Sequence, residues 1–144
     1  MNPLLQLTLY PVDDEERLFI SPALHEWGPV AEREITVVID LEGGLDGCIP
    51  DRPDHVLYVY FPIFDEDLPD MAKLKAVACL GATMLKAGHK VLSHCGMGFN
   101  RSALVAGLIL NELGMNGSEC VERLRRKRQG ALFNEIFAEY LGSL

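Results

Sequence analysis

The segment with the clearest chemical potential is nine residues long and reads His94-Cys95-Gly96-Met97-Gly98-Phe99-Asn100-Arg101-Ser102. A cysteine thiolate is a strong nucleophile, and an arginine guanidinium can hold two oxygens of a phosphate with its planar fork. Ser102 directly follows the arginine, and its hydroxyl can donate a hydrogen bond to the cysteine sulfur. The spacing therefore predicts a site at which Cys95 attacks phosphorus while Arg101 binds the phosphate oxygens.

The backbone between these two residues is suited to binding an anion. Its two glycines permit tight turns, so that successive N–H groups can point inward and form an anion nest. The predicted phosphate-binding residues are Gly96, Met97, Gly98, Phe99, Asn100 and Arg101. The apolar run that follows predicts a helix, whose N-terminus favours both a bound anion and the thiolate form of Cys95. We expect the ring of His94 to order the loop through hydrogen bonds.

The elements that must position this loop alternate between strands and helices. The predicted strands are Leu4 to Tyr10, Arg17 to Ile20, Ile35 to Leu41, Val56 to Phe61 and Lys90 to His94. The predicted helices run from Asp70 to Ala87, from Arg101 to Leu113, and onward from Ser118 and Asn134. Because the central strands at 35–41 and 56–61 are almost continuously apolar, we expect them to be buried. The pattern predicts an α/β fold with a small, mostly parallel central sheet flanked by helices, and the loop at the carboxyl end of a strand.

The whole-chain properties narrow the class of protein. A length of 144 residues fits a single domain over residues 1–144, and a net charge of −8 disfavours binding to nucleic acid or to an anionic membrane. The N-terminal residues do not resemble a targeting peptide, and the longest apolar stretch is too short to span a bilayer. We therefore expect a cytoplasmic protein. The cysteines and histidines show no metal-ligand spacing, so we expect no metal.

Several other residues have an ordinary structural explanation. Cys79 and Cys120 lie in apolar helical patterns and are expected to be buried. A basic run from Arg123 to Arg128 could flank the site and attract anionic substrates, but it is more simply explained as charges that remain in solvent at the end of a helix. His25 and Trp27 could form a recognition rim beside the site, although packing explains a tryptophan equally well. Phe64 and Phe99 are stronger rim candidates, and Cys48 offers a second thiol for a redox disulfide with Cys95.

The nine-residue segment resembles the Cys-x5-Arg-Ser/Thr loop of the protein-tyrosine-phosphatase superfamily, and the short chain resembles its dual-specificity branch. The resemblance extends to the early strands, to the segment VYFPIFDEDLPD and to the closing helices. It implies a cysteinyl-phosphate intermediate, no cofactor, and a general acid on a neighbouring loop. That loop offers Asp65, Asp67 and Asp70. Asp65 is the candidate, because FPIFD matches the family pattern Pro-Ile-x-Asp; Asp67 is the alternative, and Asp70 is better explained as a helix cap.

The resemblance also limits the substrate to a phosphate monoester, either a phosphorylated protein or a small phosphomonoester. Members of the branch act on phosphotyrosine, phosphoserine or phosphothreonine, phosphoinositides, glucans or RNA 5′-phosphates. The loop between Cys95 and Arg101 contains no lysine, so the sequence favours phosphotyrosine over highly phosphorylated lipids. A phospho-binding module with little catalysis, and thiol redox chemistry such as arsenate reduction, are the alternatives.

Overall fold

The computed structural model describes residues 7–144, which form five strands and five helices. The strands are β1 (Tyr10–Pro11), β2 (Leu18–Ser21), β3 (Val37–Asp40), β4 (Leu57–Tyr60) and β5 (Val91–His94). The helices are α1 (Gly28–Glu32), α2 (Met71–Lys86), α3 (Arg101–Glu112), α4 (Gly117–Lys127) and α5 (Glu135–Gly142). Residues 4–6 of the first predicted strand lie outside the described range, and within it that strand begins only at Tyr10.

The five strands form one sheet in the order β1-β2-β5-β3-β4. Only β1 is antiparallel to its neighbour; the other three pairings are parallel. The predicted α/β class with a small, mostly parallel sheet is therefore confirmed. Ser21, Asp40 and His94 are level with one another in the register of the sheet. Because parallel strands end at the same edge, the segments that follow β2, β3, β4 and β5 all start at one side of the molecule.

The two faces of the sheet are covered by separate cores. Alternate residues of a strand point to opposite faces. In β3, Val37 and Ile39 pack with the cluster that contains α2 to α5, whereas Val38 packs with the cluster that contains Val30 of α1. Residues 102–110 of α3 are buried without interruption, so this helix is central to the larger core. The sheet and α3 together fix the connection between them, which begins at Cys95.

The helix ends follow the signals in the sequence. The Asp70 carboxylate accepts hydrogen bonds from Ala72 N and Lys73 N, and so caps α2 as predicted. Gly88, which follows that helix, has a φ of 97° and takes the left-handed conformation that ends many helices. The start of α4 differs slightly from the prediction at Ser118: the helix begins at Gly117, because the Asn116 side chain accepts from Glu119 N and acts as the cap.

Two burial predictions are wrong. The strand β4 is only partly buried, because it lies at the sheet edge and its residues Leu57 and Tyr60 are exposed. Cys79 is also exposed, whereas Cys120 is buried as expected. Both errors arise because apolar character alone does not show which side of an element faces solvent. Within residues 7–144, no helix has both the length and the apolar character needed to cross a membrane.

Candidate active site

Cys95 lies directly after β5 and is almost completely buried, with 2% of its surface exposed. Gly98 N donates a hydrogen bond to Cys95 Sγ at 3.3 Å, and Ser102 Oγ lies 3.4 Å from the same sulfur. Ser102 is itself held in place, because its carbonyl oxygen accepts from Ser93 Oγ at 3.1 Å. The sulfur thus has two hydrogen-bonding groups beside it, the backbone N–H of Gly98 and the hydroxyl of Ser102.

Residues 95–101, called the nucleophile loop below, are packed closely against the segment that follows β2. Gly98 has a φ of 77°, and a Cβ atom at this position would lie 2.7 Å from Pro22 N and 2.8 Å from the Ser21 carbonyl carbon. Ala23 N donates to Gly96 O at 3.1 Å, on the same side of the loop. A residue other than glycine would therefore clash with backbone atoms as well as adopt a strained φ.

The guanidinium of Arg101 is held from two sides. Its Nη1 donates to Ile63 O at 3.1 Å, and its Nη2 forms an ion pair with Glu42 Oε2 at 3.0 Å. Its Nε is buried and has no hydrogen-bond partner among residues 7–144. A buried donor without a partner is uncommon, and one oxygen of a bound phosphate would satisfy it. Glu42 was not identified from the sequence, although its position just after β3 gives a signal for it.

Asn100 connects the nucleophile loop to the acid loop, defined as residues 61–70. Its side chain does not cap α3; instead its Nδ2 donates to Asp65 Oδ2 at 2.8 Å. Its Oδ1 accepts from Asn134 N at 2.9 Å, so the side chain bridges two other segments. The Asn100 side chain therefore does not occupy the free N–H groups in the first turn of α3. The positive end of the helix dipole stays directed at the loop.

Asp65 is held by a second amide as well. Asn134 Nδ2 donates to Asp65 Oδ1 at 2.9 Å, while Asn134 Oδ1 accepts from Ile136 N and Phe137 N and caps α5. The sequence explains Asn134 as a helix cap, and the structure adds its contact with the carboxylate. The alternative acid, Asp67, is exposed and makes no side-chain hydrogen bond within residues 7–144. Of the two candidates, only Asp65 is tied to the nucleophile loop.

His94 lies in a buried polar network behind the nucleophile. Its Nε2 is 2.5 Å from Asp46 Oδ2 and 3.7 Å from Asp40 Oδ1. Asp40 in turn accepts hydrogen bonds from the Tyr58 hydroxyl and from Glu42 N. Burial raises the pKa of Asp46, although the nearby His94 offsets part of that rise. Burial and the hydrogen bond to Asp40 raise the pKa of Tyr58.

This network holds the ring of His94, the residue before Cys95. The ligand-type atoms of Asp40, Asp46 and His94 lie within 4.8 Å of one another, a proximity that spacing in the sequence could not reveal. Both carboxylate oxygens of Asp40, Asp46 Oδ2 and His94 Nε2 are engaged with each other, with Tyr58 and with Glu42 N. We therefore interpret the cluster as a support for the nucleophile loop.

Three exposed apolar side chains and the half-buried Phe99 belong to the segments that form the candidate site. Phe64 precedes Asp65 and is 80% exposed, Phe133 precedes Asn134 and is 63% exposed, and Met97 in the nucleophile loop is 69% exposed. The Phe99 and Phe133 rings make an edge-to-face contact with centroids 6.0 Å apart. These four side chains, called the apolar rim below, belong to the same three segments that hold Asp65.

The remaining candidates are less closely associated with the loop. Trp27 and Cys48 pack against the smaller core cluster, whereas Cys95 belongs to the larger one. Burial raises the pKa of the Cys48 thiol. His25 is exposed. The prediction that the whole basic run stays in solvent is wrong for Arg123, whose side chain is only 14% exposed. It is also wrong for Arg128, because its guanidinium contacts carbonyl oxygens of the nucleophile loop.

Comparison with known proteins places this arrangement in context. No protein-family model and no curated protein sequence matches the chain. Solved structures do match. Human DUSP28 superposes with a TM-score of 0.78 and 23% identity over 94% of this chain and 90% of its own. Tk-PTP in its active form gives a TM-score of 0.73 and 28% identity over 100% of this chain and 97% of its own.

The chain has the fold of the dual-specificity phosphatases. The resemblance drawn from the nine-residue segment is thereby confirmed for the fold. A human tyrosine phosphatase-like serine/threonine/tyrosine-interacting protein shares the same fold, with a TM-score of 0.75 and 21% identity over 94% of this chain and 93% of its own. In the dual-specificity phosphatase fold of this chain, the Cys loop, the paired Arg101 and the amide-bound Asp65 all lie at the carboxyl edge of the sheet.

Proposed function

We propose that the protein is a cysteine-dependent phosphatase that hydrolyses phosphate monoesters in two steps. The observation that carries this proposal is that hydrogen bonds tie the nucleophile loop, which contains Cys95 and Arg101, to the acid loop, which contains Asp65. Cys95 Sγ lies beside Gly98 N and Ser102 Oγ, and Arg101 Nε is buried and unpartnered among residues 7–144. Asp65 of the acid loop accepts a hydrogen bond from Asn100 of the nucleophile loop. A fold match alone would not supply this chemistry, since one fold can serve many functions.

In the first step, the Cys95 thiolate attacks phosphorus, an S–P bond forms and the P–O bond to the leaving group breaks. The inward N–H groups of the loop and the Arg101 guanidinium stabilise the charge on the phosphoryl oxygens. The carboxylic acid of Asp65 transfers its proton to the departing oxygen and becomes a carboxylate. The result is a cysteinyl phosphate and a free alcohol or phenol.

In the second step, water attacks the cysteinyl phosphate. The Asp65 carboxylate accepts a proton from that water, the P–O bond forms and the S–P bond breaks. The electron pair returns to sulfur as a thiolate, which the Ser102 hydroxyl can stabilise at its 3.4 Å separation. Inorganic phosphate leaves, and Asp65 is protonated again for the next cycle.

The proposed mechanism is tested by turnover of an aryl phosphate. We expect Cys95→Ser to lose activity by at least about a thousandfold, because an alcohol is not ionised at neutral pH as the thiolate is. Cys79→Ser is the matched control, since Cys79 is an exposed cysteine on α2 outside the site. It should keep wild-type activity. Equal activity of the Cys95→Ser variant and the wild type would contradict the mechanism.

For the substrate, we propose a phosphorylated protein, with phosphotyrosine as the preferred residue. The nucleophile loop carries no lysine, the apolar rim offers contact area to an aromatic ring and its neighbours, and the acid loop contributes further negative charge. Inositol polyphosphates would bring extra phosphates to an acidic, apolar entrance. The measurement is phosphate release from matched phosphotyrosine peptides and from an inositol polyphosphate panel. Equal or faster release from the panel would contradict this substrate class.

A further inference from the structure

Arg128 is the one member of the predicted basic run whose guanidinium lies against the nucleophile loop within residues 7–144. It follows the last residue of α4. Its Nη2 donates to Met97 O at 3.3 Å, and its Nε lies 3.5 Å from Gly98 O. Its guanidinium thus reaches carbonyl oxygens of two successive peptide units of the loop. A solvated charge at a helix end would make no such contacts.

The guanidinium is also fixed in orientation. It lies between two aromatic rings, 4.2 Å from the centroid of Tyr10 and 4.1 Å from that of Phe99. Its Nη1 donates to the Tyr10 hydroxyl at 2.8 Å. Stacking on two rings and three polar contacts leave the Arg128 side chain little freedom to rotate.

Because a peptide unit is planar, these contacts fix the direction of N–H groups in the nucleophile loop. In a trans peptide unit, the C=O and the N–H point in opposite directions. Met97 O and Gly98 N belong to one peptide unit. Arg128 binds the oxygen of this unit, and its N–H points the other way, at Cys95 Sγ 3.3 Å from the nitrogen. The next unit joins Gly98 O to Phe99 N, so a guanidinium at Gly98 O turns Phe99 N toward the interior of the loop.

We propose that Arg128 is a positioning residue that holds two peptide units of the nucleophile loop with their N–H groups directed at the sulfur and the bound phosphate. It acts from outside the loop, and does not touch the substrate. This inference rests on the proposed phosphatase function for its effect on turnover, but its effect on oxyanion binding is independent of turnover. The neighbouring charges on the same helix, such as Arg126, pair with surface carboxylates instead.

The test compares Arg128→Gln and Arg128→Lys with a control, Arg126→Gln. The control removes the same charge from the same helix end but breaks only an exposed pair with Glu122. Two quantities are measured for each variant: the Kd for tungstate, an oxyanion probe, by calorimetry, and kcat and KM for an aryl phosphate. Thermal unfolding shows whether each variant is folded.

For Arg128→Gln we expect the tungstate Kd to rise, and kcat to fall, by about tenfold to a hundredfold, because misdirected N–H donors no longer meet the oxyanion. Arg128→Lys should recover only a small part of either loss, because a lysine is a point charge that cannot bind both carbonyls and stack between the rings. Arg126→Gln should keep the tungstate Kd and kcat within about twofold of the wild-type values, because exposed ion pairs contribute little.

Wild-type tungstate affinity in folded Arg128→Gln would overturn the inference. Full recovery in Arg128→Lys would also overturn it, because charge alone would then account for the effect. If Arg128→Gln does not fold, the Arg128→Lys measurement decides. A wild-type protein that binds tungstate but lacks phosphatase activity would contradict the proposed function only, and the comparison of tungstate affinities would still test Arg128.

Discussion

The nucleophile loop and the acid loop meet at the same edge of the sheet, yet their chemical groups are held by different kinds of contact. Cys95 is buried between a core strand and the central helix α3, and the loop around it packs on backbone atoms of the segment after β2. Asp65 is exposed, and the contacts that hold its carboxylate are two side-chain amides from Asn100 and Asn134.

Because of this difference, we expect substitutions in the two loops to affect stability and activity differently. A backbone packed against backbone cannot shift without disturbing the core, so substitutions in the nucleophile loop should affect both stability and activity. An exposed carboxylate held by two amides can move without any loss of core packing. Substitutions around the acid loop should therefore change catalysis while leaving the free energy of unfolding almost unchanged.

The largest effect is expected for Gly98→Ala in the nucleophile loop. The added Cβ meets Pro22 N and the Ser21 carbonyl carbon at a φ of 77°. Overpacking and left-handed strain together should lower the free energy of unfolding by about 2–4 kcal/mol and abolish most activity. Urea denaturation and aryl phosphate turnover are the measurements.

The control for this variant is Gly44→Ala, in the loop after β3. Gly44 has a similar φ of 96° but nothing within 4 Å of a new Cβ, so it reports the strain alone. We expect a loss of about 1 kcal/mol there. Equal losses at the two positions would show that the nucleophile loop is not held by backbone packing.

The second-largest effect is expected at Asp65, the proposed general acid. Asp65→Asn should lower kcat by about a hundredfold or more, because the leaving oxygen would have no proton donor. The free energy of unfolding should change by less than about 0.5 kcal/mol, as expected for an exposed site. Asp67→Asn is the matched control on the same loop and should leave kcat unchanged. A larger loss in the Asp67 variant would exchange the roles of the two residues.

The smallest effect separates the capping role of Asn134 from its contacts with the acid loop, at Asp65 Oδ1 and Glu66 O. In Asn134→Ser, the hydroxyl can still cap α5, but it is too short to reach Asp65. We expect kcat to fall by about tenfold, by loss of positioning, with a change in unfolding free energy of only a few tenths of a kcal/mol. Steady-state kinetics and denaturation distinguish the two contributions.

Asn116→Ser provides the comparison, since Asn116 caps α4 without touching Asp65. It should match Asn134→Ser in stability and equal the wild type in kcat. If the Asn134 variant keeps full kcat, the amide does not position the acid, and the proposed contrast between the two loops is lost.

Much of the fold could be predicted from local patterns. The apolar runs at β3 and β5 predict buried parallel strands, and Asp70 and Asn134 predict helix starts because the capping interactions span only two or three residues. The exposure of β4 and of Cys79 could not be predicted, because strand order and the orientation of a helix depend on distant segments. A run of apolar residues is compatible both with a buried element and with a partly exposed one.

The sequence by itself identified the residues proposed to attack phosphorus and to bind its oxygens, since Cys95, Arg101 and Ser102 lie within one short segment whose covalent spacing limits their separation. Only the tertiary structure shows which of the two candidate aspartates contacts this segment. Asp65 is brought to the loop by Asn100 and Asn134, the latter 69 residues further along the chain. Contacts at that separation depend on the packing of strands and helices, which no local pattern encodes.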